Sequence, residues 1–222
     1  MNYVLSVGMA CLCAGLGYAM LRHDIFCRVR FLGTSEEVNP VGRRLRIALV
    51  CGLFAVGFVS TFSILRRVSE TINIAKMLIA LLCLSGSACV DYREHRIPNL
   101  FPVVMALSGM ILLAIGYLTK QPGAVSYIVS SAMSAGGCVL FLTVASFLSK
   151  GGIGAGDIKL LGALGLLCGV YTICETAFLS VLLCALVSVV LLLMKKKTLK
   201  GALPFGPFIL LGFAVSVTFF SF

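Results

Sequence analysis

The sequence predicts an all-α, polytopic membrane protein of about eight transmembrane helices, and three observations predict it. Hydrophobic residues make up 60% of the chain and its mean hydropathy is +1.09, more apolar surface than a water-soluble domain of this size has room to bury. The apolar residues gather in long runs, and a helix rising about 1.5 Å per residue needs roughly 20 of them to cross a hydrocarbon core. Those runs are continuous rather than alternating, which suits helices and not the strands of a membrane barrel.

The first span is expected over residues 3–21; lacking a basic segment before it and a small-residue cleavage site after it, it reads as an uncleaved span rather than a signal peptide. A polar loop over 22–46 leads to a second span at 47–65 and a short turn at 66–71. The third span is expected at 72–90, followed by VDYREHRIPN, in which Asp91 stands at the end of the apolar run and Pro98 steers Ile97 away from helix into a turn. The fourth span covers 100–118, closed by KQPG at 120–123, and the fifth covers 126–148. The glycine-rich break KGGIGAGDIK, 150–159, ends that helix because glycine is costly in a helix interior. A sixth span is expected over 158–174, a seventh over 176–194, and, past the basic loop 195–200, an eighth over 203–222 that opens on Pro204-Phe205-Gly206-Pro207-Phe208. The whole reads as one transmembrane domain: two spans and a short loop in 1–71, then a six-span core in 72–222.

Charge sets the orientation. With the 22–46 loop placed inside, fourteen of the 18 Lys and Arg residues fall in cytoplasmic segments, and only Arg66, Arg67, Lys76 and Lys120 fall outside. Basic residues retained on the cytoplasmic side explain the formal charge of +10 without invoking nucleic acid, for which no soluble basic domain exists. The ten cysteines lie mostly within apolar runs and form no CxxC pair, so neither a zinc site nor a disulfide framework is predicted.

Two acids stand out against this background. Asp91 and Asp157 each border a hydrocarbon-length run, where a carboxylate is expensive and marks a candidate functional site. Two crossings separate them, so both reach the cytoplasmic face. Carboxylates held close cannot both ionise; one proton is shared, and the pair can hydrolyse a peptide by general acid–base catalysis with water as nucleophile. Each acid also has a plainer role: Asp157 as N-cap of the sixth span, Asp91 as a juxtamembrane loop acid. Lys159 either acts on Asp157 or snorkels to the interface, and Arg96 pairs with a carboxylate or a lipid phosphate, or simply fixes topology. Two prolines around Gly206 free backbone groups from helical bonding, open to an extended peptide unless this is an ordinary helix start.

Together these stretches resemble the type IV prepilin peptidases, membrane aspartic proteases of the GxGD class. Three blocks carry the resemblance: Asp91 with Arg96-Ile97-Pro98-Asn99; GAGDIKLLGALG from Gly154 to Gly165; and Pro204-Phe205-Gly206-Pro207-Phe208. It covers 72–222 and implies an aspartic-type endopeptidase of the bacterial inner membrane, with Asp91 and Asp157 as the catalytic pair at the cytoplasmic side. Gly154 and Gly156 would let backbone approach the substrate, with Lys159, Arg96, Pro98 and Pro204 through Pro207 in support. The substrate would be a prepilin or pseudopilin, its short basic leader removed after a glycine and its apolar helix lying in lipid against the spans. The family's larger insert with two zinc-binding CxxC pairs is absent, since the 22–46 loop holds only Cys27. The resemblance therefore implies no metal and no cofactor for proteolysis, with S-adenosylmethionine needed only if N-methylation of the product is retained. A transporter or channel using the same acids, and a non-catalytic pilus-assembly scaffold, are the rival classes.

Overall fold

The computed structural model describes residues 2–22, 43–67, 71–120, 123–148, 153–194 and 203–219. Cys27 and the basic stretches at 23–42 and 195–200 lie outside the described residues. Among those described there are eight α-helices and no strand: α1 Asn2–Arg22, α2 Arg43–Arg67, α3 Thr71–Glu94, α4 Leu100–Leu118, α5 Ala124–Leu148, α6 Ala155–Cys168, α7 Val170–Leu193 and α8 Gly206–Phe219. Five of them, α2, α3, α4, α5 and α7, are long and apolar enough to cross a membrane. The protein is a polytopic all-α membrane protein.

Several expected boundaries move, and three of the shifts have a visible local reason. The third helix does not stop at residue 90 but runs through Asp91 to Glu94, so Asp91 sits in its last turn rather than in the turn that follows. The sixth helix ends at Cys168 because Gly169 takes a φ of 87°, a conformation that suits glycine and breaks the ladder. Residues 170–174 consequently open α7, which starts six residues earlier than expected. At 14 residues each, α6 and α8 rise only about 21 Å at helical pitch, short of a hydrocarbon core roughly 30 Å thick.

The bundle is arranged around α3. It packs against α1, α4 and α8, while α1 lies along α2, α6 along α4 and α5, and α8 along α7. The stretch from Cys83 to Asp91 is buried without interruption, and much of it is small: Ser85, Gly86, Ser87, Ala88 and Cys89. In lipid, where apolar area gives no reason to prefer protein over acyl chains, small residues let helices close and polar ones bond between them. A Cβ at Gly86 would come 2.5 Å from the Phe101 ring of α4. The α5–α6 seam closes the same way: Gly165 faces the Ser134 backbone, and the Ser134 hydroxyl donates to the Gly165 carbonyl at 2.6 Å.

Candidate active site

Asp91 is held at the end of α3 with 5% of its surface exposed. The helix ends just past it: His95 adopts a φ of 50° and its N–H donates to the Asp91 carbonyl at 2.9 Å. Ile97, ahead of Pro98, is biased against the helical region, so the chain passes through Arg96–Asn99 as an irregular turn before α4 begins. Arg96 is exposed and Pro98 half-buried there.

The third motif closes over Asp91. The Gly206 N–H donates to Asp91 Oδ2 at 2.7 Å, and the Phe205 amide acts on the same carboxylate. These amides belong to the first residue of α8 and the one before it, at a helix N-terminus that carries partial positive charge and unsatisfied donors, a natural seat for an anion. Pro204 and Pro207 have no N–H to offer, which leaves Phe205 and Gly206 as the donors. Glycine is required sterically as well. A Cβ at 206 would lie 3.0 Å from both Asp91 Cβ and Asp91 Oδ2 and 3.3 Å from Ala88 Cα. The backbone group freed by the prolines is thus taken up within the protein by Asp91.

Asp157 is positioned by the second motif. It is not the N-cap of its helix: Gly154 occupies that place, with extended backbone at φ −66° and ψ 138°, and Asp157 is the third residue of α6. The Gly154 carbonyl accepts the N–H groups of Asp157 at 3.1 Å and Ile158 at 3.3 Å. The Asp157 carboxylate in turn folds back to the Gly154 amide, as an acid at the third helical position commonly does. Its Oδ2 would stand 3.0 Å from a Cβ at 154, so any larger residue there displaces the carboxylate.

The first and second motifs meet directly. A Cβ at Gly156 would fall 3.0 Å from Ile97 Cβ and 3.4 Å from the Ile97 carbonyl oxygen. One turn further, Lys159 Nζ donates to Asn99 Oδ1 at 3.1 Å. The turn behind Asp91 therefore lies on the first turns of α6, and all three sequence blocks sit at one end of the bundle.

Burial pushes the Asp157 carboxyl up to about 6, the negative charge of Asp91 pushes in the same direction, and the Gly154 amide opposes both. Two close carboxylates make it costly to ionise both; here amides clasp Asp91, while Asp157 is held above the ordinary carboxylate range by burial first and by the Asp91 charge second. Such an arrangement can accept a proton from water and deliver one to a carbonyl. Among the described residues no cluster of three His, Cys, Asp or Glu could hold a metal. Reading the sequence did not reveal that Gly206 and Phe205 serve Asp91, or that Asn99 receives Lys159. The flanking prolines were the available signal for the first; nothing in the spacing pointed to the second.

The profile of the Type IV leader peptidase family matches residues 77–189, just over half of the chain, a stretch that contains both Asp91 and Asp157. A protein of Bacillus subtilis (strain 168) named prepilin leader peptidase/N-methyltransferase is 38% identical over 73 residues, 33% of this chain and 29% of that protein. The aligned part thus covers less than a third of that relative's length. No solved structure matches.

Proposed function

We propose, from the premise that this chain belongs to the Type IV leader peptidase family, that it is an aspartic endopeptidase cutting the leader from type IV prepilins or pilin-like proteins at the cytoplasmic face of a bacterial inner membrane. What supports the proposal is that the three motifs meet at one end of the bundle: Gly206 of α8 donates to Asp91, and Gly156, next to Asp157, lies against Ile97 in the turn after Asp91.

In the proposed reaction the ionised carboxylate removes a proton from a water while the protonated one donates to the scissile carbonyl oxygen. The tetrahedral intermediate then collapses as the amide nitrogen is protonated and the C–N bond breaks, and no covalent enzyme intermediate forms. The Phe205 and Gly206 amides keep Asp91 in place, and Gly154 restrains Asp157. A substrate helix lying in lipid against the bundle would hold the bond near both acids and lower the entropy cost of the encounter. Water is a reactant, so the pair belongs at a membrane boundary rather than at mid-bilayer.

No step is routed through S-adenosylmethionine, although the Bacillus relative's name includes methyl transfer. A cavity of about 480 Å3 is lined by Tyr117, Leu118, Lys120, Gly123, Ala124 and Val125. It lies at the far end of α4 from Asn99, away from Asp91 and Asp157.

Co-expression with a candidate prepilin tests the reading. The wild-type chain should convert the precursor to the shorter form on a gel. Asp91→Asn or Asp157→Asn, inserted at normal abundance, should leave it uncut. Cleavage that persists in either variant would refute the aspartic mechanism. Mass spectrometry of the product tests the rest, and a methyl group whose presence depends on this protein would overturn the peptidase-only version.

A further inference from the structure

We propose that Lys159 and Asn99 form a clasp that ties the first turns of α6 to the turn after Asp91, and thereby sets the direction in which Asp157 presents its carboxylate to Asp91. Both are positioning residues, and the inference rests on the peptidase reading above.

The argument starts from helix geometry. Successive residues turn by about 100°, so Gly156 and Lys159 lie about 60° apart on one face of α6. That face meets the turn after Asp91: Gly156 against Ile97, Lys159 against Asn99 at 3.1 Å. Asp157 leaves the helix about 100° from Gly156 and about 160° from Lys159, so it does not take part in the contact it depends on. The body of α6 is held by its packing on α4 and α5 and by the Ser134–Gly165 bond; at its first turns, contact at Gly156 is one point against the turn after Asp91, and Lys159 adds a second.

Asp91 and Asp157 are on different helices, and the bond from the Gly154 amide to the Asp157 carboxylate lies within one segment of chain, so it does not relate the two acids. Asn99 follows Asp91 by eight positions through a turn stiffened by Pro98, so the Lys159–Asn99 bond refers the orientation of Asp157 to the chain that carries Asp91. Lys159 Nζ is a charge-bearing donor and Asn99 Oδ1 a neutral acceptor, so Asp in place of Asn99 keeps the clasp, while Leu removes it at similar volume.

The test is steady-state cleavage of a synthetic prepilin by the full-length protein in detergent or proteoliposomes. Lys159→Met and Asn99→Leu should each lower kcat about tenfold, since small misplacements of catalytic groups carry costs of that order, with KM within about twofold of wild type. The double variant should be no slower than either single one, because each already breaks the same bond. Asn99→Asp should stay close to wild type. Unchanged kcat in the single variants, losses that multiply in the double, or a rise in KM at constant kcat would each overturn the clasp. If Lys159→Met fails to accumulate, the contrast between Asn99→Leu and Asn99→Asp decides alone. A wild-type protein that cuts no prepilin removes the peptidase reading itself, and the clasp with it.

Discussion

Helices α3 and α7 are both 24 residues long and both able to span a membrane, yet they live in opposite surroundings. Of the five long spans α7 is the most apolar and α3 the least, but 61% of α3 is buried inside the bundle against 11% of α7. In a water-soluble protein that order would be reversed. Here Phe178, Val181 and Leu193 of α7 are turned outward, while α3 takes its serines, Gly86 and Asp91 to the centre. Even the few buried residues of α7 follow the rule: Thr172, Ile173, Thr176 and Ser180, three of them polar. Thr176 and Ser180 face Gly212 of α8, and the Ser216 hydroxyl donates to Glu175 Oε2 at 2.7 Å. Lipid receives a leucine as well as protein does, so helices sort by what lipid cannot accommodate: polar groups and small surfaces that pack only against other helices. The helix that looks least like a membrane span becomes the frame for the site.

The contrast can be tested by making matched changes in its two halves. The largest difference is expected from conservative polar changes. Asp91→Asn on α3 should reduce prepilin cleavage by at least about a thousandfold, the upper range for loss of an acid–base group. Ser188→Ala, which removes a hydroxyl bonded within α7 to the Cys184 carbonyl, should leave the rate within about twofold. Equal effects would dissolve the distinction. Next comes pH. The raised Asp157 carboxyl keeps its proton up to about 6 and loses it above that value, so the proton-sharing form gives way to a doubly ionised one as pH rises. Initial rates should therefore fall on the alkaline side, about tenfold per unit well past the midpoint. A flat profile from pH 5 to 8 would mean the acids do not titrate as a pair.

A smaller loss is expected where α8 touches α3. Gly206→Ala forces a methyl group against Asp91 and should lower kcat about tenfold while the protein still inserts, as read by cleavage at saturating substrate. The smallest effects are in stability. Gly86→Val on α3, pressed against Phe101, should destabilise the bundle by about 1–3 kcal/mol, whereas Val189→Ala, which is 54% exposed on α7, should change it by no more than about 0.5 kcal/mol. Thermal unfolding in one detergent compares them directly, and a larger cost for Val189→Ala would show that α7 is covered by protein rather than lipid.

The parts legible in the sequence are those governed by local rules. Continuous apolar runs located the helices, Pro98 marked the turn before α4, and the glycines around 154–156 marked the break before α6. Boundaries shifted where a local signal had a competitor. The apolar run ends at Val90, but α3 gains one more turn because His95 can take the left-handed conformation and close it. Gly169, one of many glycines in the chain, ends α6 because its backbone alone takes φ of 87° between two helices. Asp157 looked like an N-cap by spacing; Gly154 fills that place because the space a side chain would need is occupied by the carboxylate three residues on.

By itself the sequence determined that this chain folds as membrane helices, which segments interrupt them, and that two acids are set at helix ends where burial is costly. Those properties depend on hydropathy, backbone preference and charge, each read over a few neighbouring residues. Only the tertiary structure decided what the acids rest against. That Gly206 bonds Asp91 across 115 positions of chain, and Lys159 bonds Asn99 across 60, follows from how small residues let helices close around α3. Such contacts exist between helices, and no single helix encodes the surface its neighbour will bring.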